Sequence, residues 1–153
     1  MSVLSKKRGR VLFVDDEPEL LAGMKALLGM EGIDVFVHDS MITLPLILPD
    51  VDPDIVLLDL SLPALSGTSA LRSGLRKLLR TDGAVLLFSG RSPNELSNLA
   101  NELGADGFIS KTEDSMEIVR RVQTWIDRRR LKRANDRSEG TNAANHTAFA
   151  VAR

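Results

Sequence analysis

The sequence predicts an α/β protein built as a doubly wound, five-stranded parallel sheet, and three observations carry that prediction. Five short apolar runs recur at similar intervals, at 11–14, 33–37, 55–58, 84–88 and 107–109. Most are continuous rather than alternating, as strands buried on both faces of a parallel sheet read. Between them apolar residues recur at helical spacing, and a parallel crossover needs such a helix on one face of the sheet.

The elements follow in order. Val11 to Val14 form the first strand, and Pro18 suits the first turn of a helix whose stripe is Leu20, Leu21, Met24, Leu27 and Leu28. Glu31-Gly32 ends it before the second strand, Ile33 to Val37. Pro45 and Pro49 interrupt the next apolar stretch, so the second helix is predicted to be short, irregular or late-starting. After the third strand, Ile55 to Leu58, a helix is predicted on Leu71, Leu75, Leu78 and Leu79, closed by Asp82-Gly83. The fourth strand, Ala84 to Phe88, leads to Ser92-Pro93-Asn94-Glu95, an N-cap with proline at the first helical position and an acid at the third. Leu103-Gly104 stops that helix before the fifth strand, Gly107 to Ile109. The last helix is predicted from about Asp114 through Trp125 and Ile126, with Val119 and Val122 on its stripe and Arg128, Arg129 and Arg130 complementing its dipole. Beyond Ala134 bulky apolar residues almost vanish, which predicts a disordered tail. The expected organisation is a basic N-terminal tail at 1–8, one domain at 9–130, and a C-terminal tail at 131–153.

Composition fits one domain: 153 residues, 43% hydrophobic and 27% charged. With no cysteine, disulfides and thiolate metal sites are excluded. No apolar stretch approaches the roughly 20 residues that span a bilayer, so a cytoplasmic protein is expected. The net charge of −1 conceals a division. Residues 1–10 hold four basic groups and residues 128–153 seven basic against two acidic, leaving 9 basic and 19 acidic groups between 11 and 127, a balance of −10. An acidic body of this kind does not suit nucleic-acid binding, which needs clustered Lys and Arg.

Polar residues follow four of the five strands: Asp15 and Asp16, Asp59, Ser89, and Lys111. In an open parallel sheet all converge on the carboxyl edge, where ligands bind. Each has an ordinary reading alone, as a helix-start acid pair, a turn residue, a cap or a solvated charge. Together they are harder to dismiss. Three carboxylates at one place repel unless a cation is present, and hard oxygen ligands suit Mg²⁺.

The motifs Val11-Leu12-Phe13-Val14-Asp15-Asp16-Glu17, Asp59-Leu60-Ser61-Leu62-Pro63-Ala64-Leu65-Ser66-Gly67, Phe88-Ser89-Gly90 and Gly104-Ala105-Asp106-Gly107-Phe108-Ile109-Ser110-Lys111 sit in this order along the chain. Over about residues 9 to 130 the sequence resembles the receiver domains of two-component response regulators, similar in plan to single-domain chemotaxis regulators. The resemblance implies a flavodoxin-like receiver fold with strand order 2-1-3-4-5. It implies that Asp59 accepts a phosphoryl group from a histidine kinase or a histidine phosphotransfer protein, with Mg²⁺ as cofactor. Asp16 would then ligate the metal directly, Asp15 largely through water, and Asp59 and the Ser61 carbonyl would complete the protein ligands. Lys111 would contact a phosphate oxygen. Ser89 would move to bond the new phosphate and Phe108 would turn inward, remodelling a face for an unknown protein target, with a homodimer as one possible arrangement. Such a protein catalyses only its own phosphorylation and dephosphorylation, and the length is expected to leave no room for a folded output domain.

One departure from the family pattern stands beside the site. Thr112 follows Lys111 where the family usually has a proline in a cis bond, and a non-proline cis bond costs about 2.5 to 4 kcal/mol, which favours trans here. The competing readings are a degenerate receiver acting as a constitutive interaction module and an aspartate-nucleophile hydrolase. The hydrolase pattern needs an acid two positions after the nucleophile, where this chain has Ser61. A dinucleotide site is not supported, since no Gly-rich turn follows the first strand. His38 and His146 lack any ligand-pair spacing.

Overall fold

The computed structural model describes residues 8–61 and 81–151, with side chains described through Thr141. Five strands, β1 (Gly9–Val14), β2 (Ile33–His38), β3 (Ile55–Asp59), β4 (Ala84–Ser89) and β5 (Gly107–Ser110), form one sheet in the order β2-β1-β3-β4-β5. Every pairing is parallel. Each strand extends one or two residues beyond its apolar run at an end, because backbone pairing continues where side chains turn polar. The helix predicted on Leu71 to Leu79, the motif residues Leu62 to Gly67 and most of the N-terminal tail lie outside the described residues.

Strand side chains alternate between faces, so β1, β3, β4 and β5 each feed two cores, while the edge strand β2 feeds one through Ile33 and Val35. Leu12, Val14, Val56, Leu58, Val85 and Leu87 pack under α2 (Leu44–Val51) and α3 (Pro93–Leu103), through Leu44, Leu48, Leu96, Ala100 and Leu103. Val11, Phe13, Ile55, Leu57, Leu86, Phe88 and Ile109 face the other way, against α1 (Pro18–Met30) and α4 (Ser115–Val151). There the helices contribute Leu21, Met24, Leu28, Ile118, Val119, Val122 and Ile126. Each such side chain stabilises the fold by about 1.5 to 3 kcal/mol on burial, before conformational entropy is subtracted. These two cores hold the strand ends at fixed heights, which is what a site on the carboxyl edge requires.

Local chemistry sets the helix limits. Ser92 Oγ accepts a hydrogen bond from Glu95 N, and Gly104 ends α3 in the left-handed region at φ 72°. The second helix is short and late-starting, eight residues from Leu44, with Pro45 in its first turn and Pro49 inside it. Gly107 allows close packing, since a Cβ there would lie 2.6 Å from the Trp125 ring. The last helix departs from expectation. Instead of giving way to a disordered tail after residue 130, α4 continues to Val151. The tail's polar composition leaves its side chains largely exposed through Thr141, but continuing a helix already begun needs no new nucleus.

Candidate functional site

The parallel register brings the ends of β1, β3, β4 and β5 to one edge: Val14 pairs with Leu58, Asp59 with Phe88, and Ser89 with Ser110. The next residue after β1 is Asp15, held by its N–H to His38 O at 3.0 Å. Lys111 follows β5, and its N–H donates to Ser89 O at 2.8 Å. Asp15, Asp59 and Ser89 are buried, and the Lys111 side chain is 10% exposed. Here Asp15, Asp59, Ser89 and Lys111 come together as the sequence predicts.

Lys111 Nζ lies 2.8 Å from Asp15 Oδ2, 2.7 Å from Glu17 Oε1 and 3.3 Å from Asp59 Oδ2. Its contact with Asp15 is a charge contact: Oδ2 is buried and has no well-directed hydrogen bond, despite the short separation. The other Asp15 oxygen accepts from Asp16 N at 2.7 Å and Glu17 N at 3.1 Å. Asp59 accepts from Ser61 twice, Oδ1 from the amide at 3.0 Å and Oδ2 from the hydroxyl at 2.7 Å. Beneath the lysine lies the Phe88 ring, 5.2 Å from Nζ to its centroid and packed edge-on to Phe13.

Environment separates the two buried carboxyls. Burial raises the pKa of Asp15, and the Lys111 ammonium and the Glu17 amide only partly offset it. Burial pushes Asp59 the same way, but the two Ser61 hydrogen bonds and Lys111 outweigh it and hold its carboxyl below the ordinary range. Burial would lower Lys111, yet its contacts with Asp15 and Glu17 prevail and raise it. The resulting pair is an ionised, buried nucleophile candidate beside a firmly protonated lysine.

Asp15, Glu17 and Asp59 can bring one carboxylate oxygen each within 4.8 Å of one another. The Asp15 and Asp59 carboxylates are hard oxygen donors and, with the poorly satisfied Asp15 Oδ2, fit a Mg²⁺ ion, whereas the Glu17 oxygen is the one Lys111 holds most closely. The member gathered with Asp15 and Asp59 is Glu17, whereas the sequence singled out Asp16, which is exposed and whose carboxylate lies outside the cluster. Adjacent residues at the entry to α1 point in different directions, and Glu17 is the one turned toward Lys111. Nothing but its place in an acidic run marked Glu17 in the sequence.

The loop after β5 contains no cis bond, so Lys111–Thr112 is trans. Thr112 is built into this loop by polar contacts. Its Oγ1 lies 2.7 Å from Ser110 Oγ, and its N–H donates to the same oxygen at 3.2 Å. Ser110 Oγ in turn donates to Arg91 O at 3.3 Å, and Arg91 N donates to Ser89 Oγ at 3.3 Å. A chain of short contacts therefore ties the Lys111 loop to the Ser89 loop. Phe108, one strand position from buried Ile109, is half-buried against the face packed by α3.

Comparison with known proteins identifies the family and the fold. A family model described as the response regulator receiver domain matches residues 11–123. The transcriptional regulatory protein CpxR of Escherichia coli K12 is 35% identical over 120 residues, covering 78% of this chain and 50% of that protein. The DNA-binding response regulator MtrA of Mycolicibacterium smegmatis is 33% identical over 131 residues, covering 84% and 53%. The chain thus spans about half the length of the curated relatives it matches. Among solved structures, the receiver domain of the TMAO respiratory system response regulator TorR superposes with a TM-score of 0.65 at 31% identity, covering 78% of this chain and 98% of that one.

Proposed function

Since the chain belongs to the response regulator receiver domain family, we propose that it accepts a phosphoryl group on Asp59 from a histidine kinase or phosphotransfer protein and signals through protein contact. The observation that carries this reading is the buried Asp59 carboxylate at the end of β3, with Lys111 Nζ 3.3 Å away and Asp15 beside it. An Asp59 oxygen attacks phosphorus; as the new O–P bond forms, the bond to the donor atom breaks and the donor leaves with its electron pair. Water later attacks the same phosphorus, the Asp59 O–P bond breaks with its electron pair returning to the carboxylate, and phosphate leaves with the water's oxygen and protons. The protein acts on its own aspartate and turns over no other substrate.

Asp15 and Asp59 would hold Mg²⁺, with Asp16 and the Ser61 carbonyl as the resemblance implies, and the ion would offset charge on the transferring group. Lys111 supplies a compact cation for a phosphoryl oxygen. Ser61 aligns the Asp59 carboxylate through two hydrogen bonds before reaction. Ser89 gives up its bond from Arg91 N to meet the phosphoryl group, and half-buried Phe108 moves inward as that hydroxyl leaves. The response is a population shift between two loop arrangements. We place the protein in the cytoplasm; among the described residues no helix is long and apolar enough to cross a membrane. The acidic body argues against direct nucleic-acid contact by the receiver itself.

Acetyl phosphate and Mg²⁺ should add one phosphoryl mass to the wild type and none to Asp59→Ala, read by intact mass spectrometry. A wild type left unmodified under conditions that label another receiver, or equal labelling of the Ala variant, would refute the assignment and favour a constitutive interaction module.

A further inference from the structure

The edge of the site holds an acid that phosphotransfer alone does not require. Glu17 Oε1 is 2.7 Å from Lys111 Nζ, the shortest of the lysine's three carboxylate contacts. Asp15 and Asp59 are buried with short side chains, while the Glu17 side chain is 53% exposed. Glu17 is also the N-cap of α1, yet its side chain makes no capping hydrogen bond, so starting the helix does not explain where its carboxylate lies. Its backbone is fixed by the bond from its N–H to Asp15 Oδ1, and that of Lys111 by the bond to Ser89 O. Two anchored residues therefore meet through flexible arms across the mouth of the site.

We propose that Glu17 is a latch on Lys111, holding its ammonium until an incoming phosphoryl oxygen takes over the contact. This rests on the receiver reading above and adds a positioning residue to it. Three carboxylates against one ammonium leave the mouth negative where an anionic donor must arrive. Of the three, only the exposed Glu17 can swing into water at little cost, leaving the buried pair in place. The latch protects Lys111 as a counter-ion in the resting protein and makes its release part of phosphoryl binding.

The test uses the full chain with Mg²⁺ and beryllofluoride, an analogue of the phosphoryl group, titrated while backbone amide resonances are followed. Glu17→Gln should bind beryllofluoride about two- to fivefold more tightly than wild type, the range an exposed ion pair can hold back. The gain should disappear when Lys111→Met is present in both members of the comparison. An unchanged or weaker affinity in Glu17→Gln overturns the latch, as does a gain that persists without the lysine. So does a Mg²⁺ affinity about tenfold weaker in Glu17→Gln, because that loss would make Glu17 part of the metal site. If Lys111→Met binds too weakly to titrate, acetylation of the Lys111 amine, read by peptide mass spectrometry, replaces it: faster reaction in Glu17→Gln supports the latch and equal reaction overturns it. A wild type that neither responds to beryllofluoride nor labels on Asp59 overturns the receiver reading itself, whereas a responding wild type with no gain in Glu17→Gln overturns only the latch.

Discussion

A buried aspartate flanks β3 at each end, and the two are held in different ways. Asp54, just before the strand, exchanges hydrogen bonds with the backbone of β1: its Oδ2 accepts from Arg10 N at 2.8 Å and its own N–H donates to Arg10 O at 2.9 Å. Its carbonyl accepts from Ala84 N, so it joins three strands at the amino edge. Asp59, at the other end, takes its hydrogen bonds from Ser61, two residues along the same loop, and faces Lys111. Partners that belong to the sheet ladder cannot be exchanged without unfolding it. A lysine ammonium on a flexible stem can be exchanged, a freedom that the proposed phosphoryl transfer requires.

The largest effect expected from this contrast is at the amino edge. Asp54→Ala leaves the Arg10 amide without its side-chain acceptor and takes the nearby carboxylate from Arg133, 3.7 Å away, at a cost of about 1 to 3 kcal/mol. Urea unfolding should show that loss, while acetyl phosphate should still label Asp59 in the folded fraction. Intact stability with lost labelling would mean that the two edges do not divide the work in this way.

At the carboxyl edge the corresponding change should have the opposite sign. Burial raises Asp15 above its ordinary value of 3.8, so its folded form binds a proton more tightly than its unfolded form. Folding then becomes less favourable as pH rises through the window between those two values. Asp15→Asn, with its amide oxygen still able to accept from Asp16 N and Glu17 N, should be more stable than wild type at neutral pH without Mg²⁺. Its advantage should fade as the pH falls toward Asp15's ordinary value. Asp59 has the reverse shift, present above its unfolded value and lost in acid; it is set chiefly by Ser61 and Lys111, which both proteins keep, and least by Asp15, so most of it is shared and leaves the difference. Parallel urea midpoints at neutral and mildly acidic pH decide the point; a less stable variant at neutral pH would show that Asp15 is there for the fold.

The same contrast explains what was legible in the sequence. Asp15, Asp59, Ser89 and Lys111 could be placed because each follows an apolar run at once or, for Lys111, one residue later, and parallel pairing then leaves little choice about their edge. Asp54 drew no attention, since its role depends on which backbone amide lies opposite, a matter of register. Glu17 was missed because the direction of a side chain at a helix entrance depends on backbone angles that residue types do not fix. The length of α4 was misjudged for another reason: low apolar content limits what the tail can pack against, and says less about whether a helix begun at Ser115 continues.

The smallest effect concerns the loop where the family's proline is replaced. Thr112→Val keeps the shape and removes the hydroxyl that lies 2.7 Å from Ser110 Oγ, at a cost of about 0.5 to 1.5 kcal/mol. Ser110 Oγ still accepts from the residue 112 N–H and can still donate to Arg91 O, so the loop should remain closed. Its tie to the Ser89 loop should loosen, because the hydroxyl pair no longer fixes the orientation of the Ser110 proton. In the proposed reading Ser89 leaves its bond from Arg91 N to meet the phosphoryl group, and Thr112→Val should make that movement easier. Amide exchange should therefore speed up at Arg91 and Lys111 relative to the β1 amides, with Asp59 labelling retained. Uniform acceleration across β1 as well would instead mean that Thr112 supports the whole domain, and that the exchangeable contacts end at Lys111.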